Sequence, residues 1–197
     1  IPLTPEAAVK TLAEGVMTDI DVGLIDERPF FVTCSMAWDA ALVEAFDKSP
    51  VRGIIPYIFA GAYQFFDYKP QRMRIELDSG ERLILPDPMV CTVANLTQYG
   101  GGAVIAPHAR PDDGLLELIV ARRRDMPLFL ANIGRFLSGK VTSIPKVISR
   151  RFHTLSVIRE KASPIQVDGE LHNAPARIEI RVRPRALKLL IPYTPKA

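Results

Sequence analysis

The protein has 197 residues, 48% of them hydrophobic, with 25 lysines and arginines against 22 acidic residues. This length and apolar content can bury one substantial core, which predicts a single globular domain over residues 1–197 and excludes a disordered chain. The net charge of +3 is too small to predict a nucleic-acid-binding protein.

The two cysteines, Cys34 and Cys91, lie in apolar, strand-like surroundings. This setting predicts buried reduced thiols rather than a disulfide framework. The histidines, His108, His153 and His172, do not stand at metal-ligand spacing from one another or from a cysteine, so zinc is not expected.

No signal peptide opens the sequence, and the apolar run over residues 53–66 is too short for a membrane span and is interrupted by Pro56 and Gln64. We therefore expect a soluble, cytoplasmic protein. The sequence begins at Ile1 without an initiator methionine and moves at once into a helix start, which favours a piece of a longer protein.

The first third of the chain predicts a helix, a hairpin and a second helix. Thr4, followed by Pro5, is a typical N-cap for a helix that runs to Glu14 and stops at Gly15. The alternating strand 18–25 and the run 30–34 predict a hairpin. The other segments are a helix over 37–48 and the apolar stretch 54–68, for which a core helix is favoured over a surface that meets acyl chains.

Short strands dominate the rest of the sequence, with predicted bounds at 71–77, 82–85, 89–95, 102–106, 115–120, 155–159, 165–167 and 177–182. Asp125 is predicted to cap a helix that runs through Leu137 and closes at Gly139. On 177–182 the charged face is interpreted as solvated rather than as a surface for lipid or nucleotide phosphate. This pattern predicts a mainly β fold, a two-layer β-sandwich with peripheral α-helices.

The segment Ala106–Val120, APHARPDDGLLELIV, places Asp112 and Asp113 in a turn that leads into an apolar strand. Pro111 fixes φ at the entry, and Gly114 accepts the positive φ that such turns require. Carboxylate and main-chain oxygens are the donors that Mg²⁺ or Ca²⁺ prefers. An ordinary Asx turn is the alternative, and from the residues alone it is favoured.

A second acidic segment is Val167-Asp168-Gly169-Glu170. In an extended backbone, carboxylates two residues apart point to the same side of the strand. One of them could then accept a proton from an alcohol while the other orients it or holds a metal. The alternative is a β-turn built on Asp-Gly, which is favoured from the residues alone.

Taken together, the motifs resemble the C-terminal domain of the diacylglycerol kinase-like lipid kinases, which include the sphingosine kinases. The resemblance covers nearly the whole chain and rests mainly on GGGAVIAPHARPDDGLLEL and VDGE, supported by IPLTPEAA, TDIDVGLI and WDAALVE. One departure is the segment 33–37, Thr-Cys-Ser-Met-Ala, where family members usually carry glycines. Without them, a close backbone approach to a ligand is not expected there.

The resemblance implies ATP-dependent transfer of the γ-phosphate to a lipid hydroxyl, diacylglycerol-like or sphingoid. Glu170 would be the proton acceptor, supported by Asp168. Asp113, with the carbonyl oxygens of Arg110 and Leu115, would hold a structural Mg²⁺.

The same resemblance implies where the nucleotide binds. No GGDGT-type nucleotide loop occurs in this sequence, so ATP would be bound mainly by an N-terminal domain that the chain lacks, and the chain alone would be inactive. The expected partners are that domain and a lipid substrate at a membrane surface, with peripheral membrane association. A homodimer is left open.

Two other classes of function remain open from the sequence. A non-catalytic lipid- or membrane-binding sandwich is favoured if the stretch 54–68 is exposed and Glu170 is buried in a salt bridge. A structural or interaction module is favoured if Asp113 binds no ion and Asp168 and Glu170 point away from any cleft.

Overall fold

The structure is a computed structural model that describes residues 4–38, 40–41, 68–100, 103–132, 134–135 and 138–193. Most of the predicted helix 37–48 and nearly all of the apolar stretch 54–68 lie outside these described residues.

Two α-helices are described with full bounds, α1 (Pro5–Glu14) and α2 (Met126–Ala131), together with 3₁₀ turns at Arg123–Asp125 and Val141–Ser143. The strands are β1 (Val16–Ile25), β2 (Arg28–Phe30), β3 (Thr33–Ser35), β4 (Met73–Leu77), β5 (Arg82–Leu85), β6 (Pro88–Ala94), β7 (Gln98–Gly100), β8 (Ala103–Val104), β9 (Leu116–Arg122), β10 (Ile148–Phe152), β11 (Thr154–Arg159), β12 (Ser163–Val167), β13 (Glu170–Ala174) and β14 (Arg177–Ile191).

The strands form two six-stranded antiparallel sheets and one small ribbon. Sheet A has the order β2-β1-β14-β11-β4-β5, and sheet B has the order β10-β9-β6-β3-β12-β13. The ribbon pairs β7 with β8. The predicted mainly β sandwich with few helices is confirmed.

The main core lies between the sheets. Inward-facing residues such as Ile75, Val157 and Ile178 from sheet A meet Val93 and Leu118 from sheet B, and all of them are fully buried. Their neighbours along each strand point to the opposite face, as the alternation of a β-strand requires. Cys34 and Cys91 are buried in this core and form no disulfide bond, as predicted.

The outer face of sheet B is covered by a second apolar layer. Ala94 and Ile119 pack there against Val141 and Ile144, and Met126 of α2 packs against the strand end nearby. The outer face of sheet A instead carries exposed charged side chains. This asymmetry explains why β6 and β9 are buried on both faces while β4 alternates buried and exposed residues.

The predicted strand 30–34 is wrong as a single element. β2 ends at Phe30 and pairs with β1 in sheet A, whereas β3 starts at Thr33 and pairs with β6 in sheet B. Phe31 and Val32 carry the chain from one sheet to the other. The apolar sequence across this crossing gives no sign of the break.

The helix predicted from Asp125 through Leu137 differs from the observed α2 in its N-cap and in its C-terminal end. The Asp125 carboxylate accepts a 2.7 Å hydrogen bond from Arg122 and makes no cap hydrogen bond, and α2 ends at Ala131 with Asn132 as its C-cap. At the other end of the chain, the strand predicted over 177–182 is longer in the structure and includes Pro184 and Arg185. β14 continues through them, because Arg185 adopts a positive φ at a register shift against β1.

Helix α1 is as predicted, with the Thr4 hydroxyl accepting from the backbone N–H of Ala7. Strands β10 and β13 were not anticipated. Among the described residues, no helix has the length and apolar character needed to cross a membrane.

Candidate functional site

The two residues between β12 and β13 form a tight hairpin turn. Val167 pairs with Glu170, and the intervening Asp168 and Gly169 both have positive φ, +48° and +91°. Positive φ at both central positions is typical of a type I′ turn, for which Asp-Gly is among the preferred sequences. The β-turn alternative is confirmed, and the expectation that Asp168 and Glu170 share one side of an extended strand is wrong.

The Asp168 carboxylate is bound by three consecutive backbone N–H groups. Phe31 donates to Oδ2 at 2.7 Å, while Val32 and Thr33 donate to Oδ1 at 2.8 and 3.0 Å. The backbone N–H of Asp168 in turn donates to the carbonyl of Thr33. These N–H groups are available because the chain crosses between the sheets at this point. Asp168 is therefore a positioning residue that fixes the hairpin.

Glu170 occupies the first position of β13 and projects into solvent. Its side chain is 82% exposed, and the nearest cationic group is the His172 imidazole at 3.8 Å. The turn fixes the backbone position of Glu170, and the carboxylate is accessible to a ligand. The burial in a salt bridge that would favour a non-catalytic module is not observed.

Asn95, directly after β6, joins the crossing segment to β1. Its side-chain amide donates to the carbonyl oxygens of Asp21 at 2.9 Å and Phe31 at 3.1 Å. The backbone N–H of Asn95 donates to the carbonyl of Val32. The side chain is fully buried, and its Oδ1 atom has no hydrogen-bond partner within the described part of the chain.

Asp21 lies at the register shift of β1 and is also fully buried. Its carboxylate accepts hydrogen bonds from the backbone N–H of Gly114 at 2.7 Å and of Arg185 at 2.9 Å. Its own N–H donates to the carbonyl of Pro111. Asp21 thus holds the acidic loop between Arg110 and Leu115 against sheet A.

These contacts form one continuous polar network. It runs from the Asp168 turn through the crossing segment to Asn95, then to Asp21 and the acidic loop. The two acidic segments are therefore joined by a continuous set of hydrogen bonds, of which the bond between Asn95 and Asp21 is buried.

In the acidic loop, Asp113 Oδ1 accepts from the backbone N–H of Leu115 at 3.1 Å, which is the Asx turn. Its Oδ2 forms an ion pair with Arg151 of β10. Gly114 adopts the predicted positive φ of +73°. Asp112 faces Arg110 at 3.7 Å and lies apart from the Asp113 contacts.

The loop offers donors of the kind that a hard cation uses. Among the described residues, no backbone N–H is bonded to the carbonyl of Arg110 or of Leu115, so both oxygens are available. Asp113 could complete the set only through Oδ2, for which Arg151 competes. Carboxylate and carbonyl oxygens are the donor types that Mg²⁺ prefers, and Arg151 would have to release Asp113 Oδ2 before a cation could use it.

Glu117, the second residue of β9, anchors the segment that leads into this loop and was not predicted from the sequence. It is fully buried, accepts from Ser149 Oγ at 2.6 Å and accepts from the backbone N–H of His108 at 3.2 Å. Asp21 and Asn95 were also missed as functional positions. The signal for all three is a polar residue inside an otherwise apolar strand segment, since such a residue needs a buried partner.

An open depression of about 410 Å³ lies beside the network. Its lining includes Val32 and Leu96 from the crossing region, Tyr99 from β7, and Ala109 and Pro111 from the acidic loop. The lining is mainly apolar. The network therefore borders a concave surface suited to the apolar part of a ligand.

A family model described as the YegS C-terminal NAD kinase beta sandwich-like domain matches residues 33–191. The chain belongs to this family. The matched range includes Asn95, the acidic loop and the Asp168 turn, and it begins at the first residue of the segment 33–37, in which the sequence lacks glycines.

Relatives of this YegS-type domain carry kinase names. The chain is 27% identical over 179 residues to "Probable lipid kinase YegS-like" of Chromohalobacter salexigens, covering 86% of this chain and 55% of that protein. It is 25% identical over 194 residues to "Diacylglycerol kinase" of Mycobacterium tuberculosis, covering 95% of this chain and 62% of that protein. The resemblance to the lipid kinases is confirmed.

Solved structures share the fold. A diacylglycerol kinase from Bacillus anthracis matches with a TM-score of 0.69 at 16% identity, over 95% of this chain and 61% of that one. The YegS-type chain thus spans only about half to two-thirds of the length of these proteins.

Proposed function

We propose that this chain supplies the acceptor side of a lipid kinase active site, with Glu170 as the proton acceptor. The observation that carries the proposal is that the two acidic residues of the hairpin turn have different environments. Asp168 is held by three backbone N–H groups, while Glu170, two residues on, is exposed and held on the same rigid turn.

In the proposed reaction, the lipid hydroxyl oxygen forms a bond to the γ-phosphorus of ATP as the bond from that phosphorus to the β-γ bridging oxygen breaks. The hydroxyl proton passes to the Glu170 carboxylate, and ADP leaves. Proton acceptance makes the hydroxyl oxygen a better nucleophile, and most of the remaining barrier is lowered by positioning and charge neutralisation.

Two further roles are proposed, a structural Mg²⁺ site in the acidic loop and an ATP site formed mainly by residues outside this sequence. Asp113 and the carbonyl oxygens of Arg110 and Leu115 would hold a structural Mg²⁺, which would supply positive charge that fixes the loop. ATP would be bound mainly outside this chain, so the chain alone would be inactive. The protein would act on lipid at the surface of a membrane.

Replacement of Glu170 by glutamine in the full-length enzyme tests the proposal. Glutamine keeps the shape of the side chain and removes the proton-accepting charge, so kcat for phosphorylation of diacylglycerol in mixed micelles should fall by roughly 10²–10⁴ with little change in KM for ATP. Glu160→Gln, at an exposed position beyond β11, is the matched control and should keep full activity.

A Glu170→Gln enzyme that turns over at the parent rate, with an unchanged thermal melt, would contradict the proposal. The turn would then have only a structural role. Lipid binding by the parent without any phosphorylation would favour the non-catalytic lipid-binding module instead.

A further inference from the structure

Helix α2 has no polar side chain and yet lies at the surface. Its sequence is Met-Pro-Leu-Phe-Leu-Ala, of which Met126 and Phe129 pack inward on sheet B. The remaining four residues are exposed, and Leu130 and Leu128 are 55% and 38% exposed. A surface helix ordinarily turns a polar face to water, so an apolar outer face indicates a partner.

Basic residues flank this apolar face on both sides along the chain. Arg124 precedes α2 and Arg135 and Lys140 follow it, and all three are exposed. Arg135 donates to the neutral carbonyl of Ser143, so its positive charge is not cancelled by that contact.

The nearby acidic groups offset this charge only in part. Asp125 is occupied by an ion pair with Arg122 at 2.7 Å, in which both side chains are largely buried. Asp87 accepts from the backbone N–H of Arg124 rather than from its guanidinium. The exposed apolar side chains of α2 are therefore flanked along the chain by exposed positive side chains.

We propose that α2 docks flat on an anionic lipid bilayer, with Leu128 and Leu130 entering the acyl boundary and Arg124 and Lys140 contacting headgroup phosphates. Exposed leucines next to arginines and lysines match a surface that is apolar inside and negative outside. The charge complementarity favours an anionic bilayer over a neutral one or over a second copy of this basic chain.

The proposal deepens the proposed function, because a kinase that acts on lipid needs access to a membrane. Helix α2 packs on the outer face of sheet B, and the edge strand of that sheet, β13, begins at Glu170. Docking through α2 would bring the sheet that carries the proposed base to the membrane that contains the lipid.

Vesicle co-sedimentation of the full-length protein, without ATP or Mg²⁺, tests the proposal. The parent should bind phosphatidylcholine vesicles that contain phosphatidylglycerol more tightly than vesicles of phosphatidylcholine alone, and the difference should shrink at high salt. Leu128→Gln with Leu130→Gln should weaken binding roughly ten-fold or more, because apolar burial is lost. Arg124→Gln and Lys140→Gln should each weaken it about five-fold.

The matched controls lie on the outer face of sheet A, on the opposite side of the sandwich. Ile84→Gln removes an exposed apolar side chain, and Arg74→Gln with Arg177→Gln removes two exposed charges. These variants should bind anionic vesicles as the parent does. All positions are exposed, and circular dichroism confirms that each variant is folded.

Three outcomes would overturn the proposal: equal binding to neutral and anionic vesicles, parent-like binding by the leucine variant, or an equal loss in the controls. A parent that does not bind vesicles but forms a dimer, which the leucine variant dissociates, would assign the face to a second copy. Because no nucleotide is present, this result is independent of whether Glu170 is the base.

Discussion

The side-chain amide nitrogen of Asn95 lies 2.9 Å from the carbonyl oxygen of Asp21 and donates a hydrogen bond to it. Both side chains are fully buried. Through this bond the segment that holds the Asp168 turn is tied to the residue that holds the acidic loop. The two halves of the proposed site therefore share one buried support.

Asn95→Ala should reduce the free energy of unfolding by about 2–4 kcal/mol, because it leaves two buried carbonyl oxygens without donors at a cost of about 1–3 kcal/mol each. Urea unfolding followed by circular dichroism measures the change. Asn173→Ala, at an exposed position of β13, should change stability by less than about 0.5 kcal/mol. Equal effects of the two substitutions would show that the Asn95 contacts contribute little.

Asp168→Asn should lower stability by about 2–3 kcal/mol, since a neutral amide oxygen accepts less strongly from the three N–H groups than a carboxylate does. Glu170→Gln should leave stability unchanged, because that side chain is exposed. Thermal melts and activity assays of both variants distinguish the two roles, because Asp168 supports the turn and Glu170 accepts the proton. An Asp168→Asn protein as stable as the parent would contradict the role of Asp168 in holding the turn.

Arg151→Gln should tighten Mg²⁺ binding at the acidic loop by about ten-fold, because it removes a positive charge that occupies the Asp113 carboxylate. Asp113→Asn should abolish the binding. Isothermal titration with MgCl₂ measures both, and Arg150→Gln, which removes an equal charge from the neighbouring residue paired with Glu81, is the control. Mg²⁺ binding that is the same in all variants would place the cation elsewhere.

Gly23→Ala should destabilise the protein by about 1–3 kcal/mol, because the new methyl group would collide with the ring of Phe30, its cross-strand partner. Phe30 is fully buried, so its ring has little room to move. Gly134→Ala is the matched control and should not destabilise, because among the described residues no atom outside its chain neighbours and its own helix backbone lies within 4 Å of the new methyl position. Denaturant unfolding compares the two variants.

The pH dependence of stability should include a contribution from Asp78. Partial burial disfavours its ionised form, but hydrogen bonds from His153 and Thr154 outweigh this and lower the pKa of Asp78. A lowered pKa in the folded state stabilises the fold above the unfolded-state pKa, and the benefit is lost as pH falls through the folded-state pKa. Asp78→Asn should therefore melt below the parent at neutral pH, and the gap should close in acid; a constant gap would contradict this.

The sandwich could be predicted because its strands are short, apolar on alternate positions and separated by turn residues, as in β4 and β5. The break at Phe31 and Val32 could not, since a strand that changes sheets keeps the same apolar composition on both sides of the crossing. The end of α2 at Ala131 could not be predicted either, because the residues on both sides of it are similar in helix propensity. The sequence continues with helix-compatible residues, and Gly134 and Arg135 are again helical, so no local signal marks the end of α2.

The candidate site was predictable in its parts but not in its connections. VDGE and PDDG could be picked out because Asp and Gly in turns have a local physical meaning. Asp21 and Asn95 act through partners that are distant in sequence, and no local pattern predicts which backbone groups they reach. The sequence also did not predict that Arg151 competes with a cation for Asp113, because Arg151 belongs to β10, a strand that was not predicted.

Strand β14 lies between β1 and β11 in sheet A, and its pairing with β1 extends from Val16 opposite Ile191 to Ile25 opposite Ile180. A ribosome therefore releases β1 long before it makes the strand that completes the sheet. Contacts of such large sequence separation form slowly, and they leave strand edges open in the nascent chain. Until β14 emerges, β1 and β11 each expose an edge that another copy can pair with, so these two strands are where aggregation during synthesis would begin.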